Sequence, residues 1–411
     1  MPRDRDQAFS IMSDGFLLSA AVKFLATARL LRNYDDDLVD VKGVNIEPYP
    51  LDMELIQQAD KSVWDAQVKI IQEGVTDDII EKAFLNVPAE VRDETIDEIK
   101  RKLKARRGNL QKISDRYYQL MTKYAVIKGT NKDDWFDIER LPNGQTKVTA
   151  YRIQGGEKGD IFLEKTYTKE HTKEIWIYAL DDDDTFHVYV ENSSKEIKLR
   201  LIGGQNNDTY NIENGKRVTY YDYKSKKNTI LTKKGHKKLS DIYHTNVYDY
   251  KKLKNNTVEF LPNLGANPDD GFRIGVTSVF TNYGFERNPF TSQHTISALY
   301  YFATSGFDFD YHGEFANLFP NVNFGVDAHF NSPNYAVNFF GFGNDSPNPE
   351  ADENDGLDVD LDYNRVKIRT FKVMPSLIWR GQQGGKGGAG RARVQRFRVR
   401  DVSHPVLGSL A

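Results

Sequence analysis

The chain of 411 residues carries 56 basic and 59 acidic residues, no cysteine, and 50 aromatic residues, of which 22 are Tyr, 24 Phe and 4 Trp. That length asks for two or three domains, and the balanced charge gives no reason to expect a nucleic-acid partner. The missing cysteine excludes disulfides, thiolate nucleophiles, cysteine zinc sites and iron–sulfur ligation. A mean hydropathy of −0.62 and the lack of any uninterrupted apolar run of about 18 residues exclude a transmembrane helix. They do not exclude a transmembrane β-barrel, whose alternating strands average out to polar.

Residues 1–6 mix charges of both signs where a signal peptide needs a basic stretch and an apolar run. The expectation is a cytoplasmic chain or a piece of a longer exported protein. Residues 1–130 read mostly as helix. Segment 51–71 has apolar residues at helical spacing, including Leu55, Val63, Trp64, Val68 and Ile71. Thr76 precedes Asp77 and Asp78 as an N-cap with first-turn acids. Segment 91–120 reads as a further helix through Ile96, Ile99, Leu103, Leu110, Ile113 and Tyr117. Its basic stretch 100–107 reads as a solvated face, with phosphate binding the alternative.

Residues 131–255 change to short strands and turns and form a β-rich connector. Segments 174–180, 196–202 and 217–223 resemble one another, at spacings of 22 and 21 residues. The first two are followed by related turns, 182–188 and 206–212. Such a repeat suits the coils of a β-solenoid, and a β-sandwich with coincidental spacing is the other reading.

Residues 256–380 read as the opening strands of a barrel. The 72 residues 271–342 hold 19 of the 50 aromatics, and no lysine occurs between Asn255 and Val366. Phe307, Phe309, Tyr311 and Phe315 alternate with Asp308, Asp310, His312 and Glu314, which places them on opposite faces of a strand. Strands are also expected at 272–280, 294–302 and 322–330, with a weaker one within 358–373, and turns at 282–289, 317–321, 331–334 and 343–356. A bulky apolar face opposite a polar one fits a barrel in lipid; a soluble barrel or sandwich shares the alternation. Five or six strands fall short of the eight of the smallest single-chain membrane barrels. The low-complexity tail 381–411 has six basic residues and one acidic residue. It reads either as a basic binding segment for RNA or acidic lipid or as non-native sequence.

Three carboxylates are candidate metal ligands. Asp4 and Asp6 form a D-x-D pair able to hold Mg²⁺ with a phosphate. Asp208, in the turn 203–210, approaches the glycine- and aspartate-rich repeat that binds Ca²⁺, although Asn206 replaces its third glycine. A structural turn is the competing role. No histidine pair has metal-ligand spacing, no nucleotide loop or nucleophile elbow occurs, and no catalytic residue is assigned.

Residues 2–9, the helix 103–107 leading to Tyr117 and Tyr118, the turn 203–210 and the stretch ending at 338–344 together resemble a known group. They are similar to the C-terminal part of Bacteroidetes outer-membrane proteins of the metallophosphoesterase and surface-antigen type. In that group a signal peptide and a calcineurin-like phosphoesterase domain precede a β-rich connector and an Omp85 (BamA/TamA)-like barrel. The Asp4/Asp6 pair is also similar to the D-x-D of spore-coat kinase-like proteins. The phosphoesterase metal motifs are absent from this sequence.

The resemblance implies an outer-membrane location, membrane lipid and the barrel-assembly machinery as partners, and anchoring or display of an upstream phosphoesterase-type domain. The fold class expected is mainly β with an α-helical N-terminal segment, a solenoid-like connector and an incomplete antiparallel transmembrane-type β-barrel. Two other functions are carried forward: a metal-dependent phosphoryl-transfer or phosphoesterase fragment using Asp4 and Asp6, and a Ca²⁺-stabilised β-solenoid adhesin.

Overall fold

The computed structural model describes residues 9, 11, 15–190, 196–267, 270–332, 336–338, 365–367 and 369–380. The fold is mainly β, 42 % strand against 27 % helix, with the helices at the N-terminal side. The chain divides into two compact units. Residues 1–19 and 29–254 form the first, and residues 20–28 and 255–411 the second.

Helices α1 (Phe16–Phe24), α2 (Val41–Val44), α3 (Tyr49–Leu55), α4 (Lys61–Gly74), α5 (Asp77–Phe84), α6 (Glu94–Gly108) and α7 (Leu110–Thr122) come first. Thr76 caps α5 as expected, its side chain accepting from the Ile79 N–H. The helix expected over 51–71 is instead α3 and α4. The break falls at Gln57 and Gln58, whose side chains are used elsewhere. The helix expected over 91–120 is also divided, at Gly108 and Asn109, because glycine is a poor helix former and Asn109 (φ −88°, ψ 0°) leaves helical geometry. The freed carbonyl of Arg107 accepts from Gln72 Nε2 at 2.8 Å. The basic stretch of α6 is tied up in ion pairs, Lys100 and Lys104 with Glu81 and Arg107 with Asp77.

Strands β1 (Tyr124–Lys128) and β2 (Asp134–Arg140) follow, then a hairpin of β3 (Gln145–Gln154) and β4 (Glu157–Thr168). The chain next alternates between two sheets, through β5 (Glu174–Leu180), β6 (Thr185–Val190), β7 (Lys198–Gly204), β8 (Thr209–Ile212), β9 (Val218–Asp222), β10 (Thr229–Ile230) and β11 (His236–Leu239). One sheet has the order β1-β5-β7-β9-β11 and is parallel throughout. The other has the order β10-β8-β6-β2-β3-β4 and is parallel from β10 to β2 and antiparallel from β2 through β3 to β4.

Glu174 pairs with Lys198 and Leu199 with Val218, spacings of 24 and 19 residues rather than 22 and 21. Each difference is two residues, so the expected inward faces are kept. Like residues therefore stack: Phe136, Phe186 and Tyr210 lie ring on ring at 5.2 Å centroid spacing, with interplanar angles of 16° and 8°. Leu180 (φ 87°) and Gly204 (φ 102°) occupy the same left-handed corner of successive passes. A Cβ on Gly204 would collide with the Leu180 carbonyl.

The open edge of β1 would leave backbone groups unpaired. Val126 N–H donates to Gln57 Oε1 (3.1 Å), while Gln57 Nε2 donates to the Tyr124 carbonyl (3.3 Å) and Gln58 Nε2 to the Val126 carbonyl (3.0 Å). The helical segment thus caps the sheet with two glutamines. Gln57→Ala is expected to cost about 1–3 kcal/mol by orphaning these groups, measured by urea unfolding. A cost below a few tenths of a kcal/mol would remove the cap from this account.

The second unit is an antiparallel meander of β12 (Thr257–Asn267), β13 (Gly271–Asn282), β14 (Ser292–Tyr301), β15 (Gly306–Phe319), β16 (Val322–Asn331) and β19 (Thr370–Trp379). Between the last two, β17 (Ala336–Asn338) and β18 (Arg365–Lys367) make a separate pair. Strand β12 lies before the aromatic window and was not expected, since Pro262 and Gly265 interrupt its alternation. Within 317–321, β15 persists to Phe319 through a bulge at Asn317 (φ 57°), and the turn falls at 320–321. Pro262 and Pro375 lie on the two edge strands, where a missing ladder donor is tolerated. Among the described residues β12 and β19 do not pair, and the sheet does not close.

Candidate functional site

Residues directly opposite in a sheet share a face, so the registers of the meander sort its side chains. Ile274, Tyr300 and Phe307 lie on one face, as do Phe309, Phe330 and Phe371, and Val322 with Trp379. This is the face outlined in the sequence by Phe307, Phe309, Tyr311 and Phe315, and the register adds Phe324 and Phe330 to it. Its large side chains are exposed: Phe302 and Phe371 are each 55 % accessible and Trp379 47 %. The opposite face holds Asp308, Asp310, His312 and Glu314 of β15 with Asn323, Asp327 and His329 of β16, and Glu314 and Asn323 are buried. The sheet is therefore inverted relative to a water-soluble one, with its apolar face outward.

Each strand of this sheet has 10 to 14 residues, and a tilted transmembrane strand needs about 9–11. Aromatic side chains gather toward the strand ends, Phe272, Phe302 and Phe371 at one and Phe315, Phe319 and Trp379 at the other.

The polar face carries a groove of about 470 Å³. His312 Nδ1 and Asp327 Oδ1 are 2.6 Å apart across it, and His329 Nδ1 and Asp310 Oδ1 2.7 Å. Each imidazole is held by a carboxylate on the neighbouring strand, and Lys372 pairs with His329 from β19. His312 and His329 fall on the polar side of the strands expected at 307–315 and 322–330. The contribution of Lys372 was hidden because β19 begins where the alternation was weakest.

Asp208 lies in the first unit and is fully buried. At the corner between the two parallel sheets the carboxylates form a ladder. Asp134 N–H donates to Asp184 Oδ1 (2.7 Å), Asp184 N–H to Asp208 Oδ1 (2.9 Å), and Asp208 N–H to Asn228 Oδ1 (2.9 Å). A second ladder runs in the opposite sense. Asp183 N–H donates to Asp133 Oδ1 (3.1 Å), Asn207 N–H to Asp183 Oδ1 (3.0 Å), and Lys227 N–H to Asn207 Oδ1 (2.9 Å). The acidic run 181–184 and the turn 206–208 thus supply acceptors for backbone donors of neighbouring passes.

Asp222 accepts from Tyr210 Oη at 2.8 Å. A Cβ on Gly203 would collide with Asp208, Asp222 and Tyr210 together, so these groups converge on the glycine. Burial, reinforced by the charge of Asp208, pushes the Asp184 carboxyl up to about 10. Burial and the proximity of Asp222 raise Asp208 too, and Asp222 is raised chiefly by burial. All three shifts run in the same direction, since burial favours the protonated carboxyl over the charged one.

Among the described residues no group of three or more His, Asp or Glu side chains is arranged to hold a metal ion. A Ca²⁺ site takes six to eight oxygens, typically from ionised carboxylates and carbonyls, and the turn 203–210 does not gather such a set around Asp208. Asp4 and Asp6 lie outside the described residues. Asp184 was legible as the partner of Asp208 one pass earlier; Asp222 was not, because nothing in its own turn repeats theirs. No helix among the described residues is long and apolar enough to cross a membrane. Comparison with family models, with curated proteins and with solved structures finds no match to the chain.

Proposed function

We propose that the chain is the membrane-anchoring part of an outer-membrane β-barrel protein, itself non-catalytic, that displays an upstream phosphoesterase-type domain. The observation that carries the anchoring role is the inverted sheet, with Phe302, Phe307, Phe309 and Phe371 outward and Asp310, His312, Glu314 and Asp327 on the other side. Among the described residues six strands with two unpaired edges are short of a closed barrel, and unpaired edges are costly in lipid. The anchor therefore takes further strands at β12 and β19. The display role rests on the sequence resemblance alone. The connector is read as a short β-solenoid, a reading supported by the parallel registers and the stacked Phe136, Phe186 and Tyr210.

Trp379 tests the anchor directly, because Trp64, Trp135 and Trp176 all lie in the first unit. The full chain is expected to bind phospholipid vesicles, with brominated acyl chains quenching part of its fluorescence and Trp379→Phe removing that part. A chain that stays monomeric in water and shows no Trp379-dependent quenching would overturn the reading.

A further inference from the structure

The β13–β14 loop, residues 283–291, does not stay at the end of its own hairpin. The Asn288 carbonyl accepts from Asn323 Nδ2 of β16 at 2.6 Å, and Asn288 Nδ2 donates to the carbonyl of Arg380, just past β19, at 3.2 Å. Strand β19 lies three strands from β14, about 14 Å at the usual inter-strand spacing. The loop therefore reaches across the sheet.

Its landing site is a buried charge network. Glu314, 3 % exposed, accepts from both Arg380 Nε (2.6 Å) and Nη2 (2.7 Å), and Asn323 Nδ2 donates to Glu314 Oε1 at 2.7 Å. The Arg380 guanidinium lies 5.7 Å from the ring centroid of Phe290 in the loop. Phe285 and Phe290, both of the loop, are buried. Glu314 and Asn323 belong to the polar face, so the loop closes over that face at the end where β13 finishes and β14 begins.

Burying a bidentate ion pair carries a desolvation cost that an apolar contact would not. What it adds is geometry: the Arg380 fork fits Glu314 in one orientation, and the Arg380 carbonyl is then presented to Asn288. We propose that residues 283–291 form a strap, latched by Arg380, Glu314 and Asn323, that closes one end of the polar face and governs entry of small polar solutes to the groove beside His312 and His329. This inference does not depend on what covers the apolar face.

The native chain has no cysteine, so one introduced thiol reports access. Ser376 is buried on the polar face of β19, opposite Gly325 and two residues from the partner of Asn323; Ser376→Cys changes it little in size. In the full chain carrying Ser376→Cys, a water-soluble maleimide is expected to label the introduced thiol at least tenfold faster when Arg380→Ala is added. Asn288→Ala removes the side-chain donor to the Arg380 carbonyl without stranding a buried charge and keeps the backbone acceptor for Asn323, so a smaller acceleration in the same direction is expected. An unchanged labelling rate in either variant, in protein that keeps its β-sheet circular dichroism, would overturn the strap.

Discussion

On the membrane-anchor proposal, Val276→Arg is expected to cost the sheet about 2–4 kcal/mol in vesicles, the penalty for a charge near the bilayer midplane on a lipid-facing position. Val276 lies midway along β13, opposite Pro262 and Ala298, on the exposed apolar face. The matched control is Thr277→Arg, one residue on and on the other face, where Thr277 Oγ1 meets Ser297 Oγ at 3.1 Å. An arginine there extends into the polar groove side, where water and carboxylates solvate it, and less than about 1 kcal/mol is expected. Denaturant titration of both variants in the same vesicles separates the faces. Equal costs would mean that the two faces meet the same solvent, and the membrane reading would fail.

The second large effect is a pH dependence of the first unit. The Asp184 carboxyl is pushed up to about 10, and Asp208 and Asp222 are raised too, all by burial first. In the unfolded chain each titrates near 3.9. Between those limits the folded state holds protons that the unfolded state has released, so unfolding releases protons and stability falls as pH rises. Their contribution is complete below about pH 4 and is lost progressively toward pH 9–10. The melting temperature of the first unit should therefore drop between pH 5 and pH 9. Asp184→Asn keeps the acceptor for Asp134 N–H and removes one titrating group, so its curve should be flatter. A parent curve that rises over this range would contradict the protonated ladder.

Asp208→Ala should cost about 1–3 kcal/mol at about pH 5, since it orphans the Asp184 N–H, and less toward about pH 9, where the parent has lost the contribution of the Asp208 proton. Because the ladder carboxyls hold protons and backbone donors, millimolar Ca²⁺ is expected to leave the melting temperature within about 1 °C. A larger rise that Asp208→Ala abolishes would restore a cation to this turn.

The strands around Phe307–Phe315 and Val322–Phe330 were legible because strict alternation encodes a face, and a face needs no partner to be read. The β12 strand was not, since Pro262 and Gly265 break the period although the backbone still pairs at every position from Thr257 to Asn267. In the connector, the turn similarity placed Asp182 against Asn206, which is the observed register. The strand segments were aligned two residues off, because their apolar runs are continuous and mark no unique start. Asp208 was singled out for its spacing in sequence. Its chemistry comes from Asp184 and Asp222, brought together by parallel stacking, which spacing within one turn cannot reveal. Glu314 read simply as a polar-face residue; its pairing with Arg380 spans 66 residues and has no local signature.

The opposed senses of the two corner ladders carry a mechanical consequence. If the connector bears tension between an anchor and a load, pulling one pass off the next must break donors directed both up and down the stack at a single corner. Neither ladder can slide past the other to relax the force, since a shift that shortens one set of bonds lengthens the other. The corner at residues 181–184 and 206–208 is then where rupture force concentrates, and a single-molecule pulling trace should yield in steps the size of one pass.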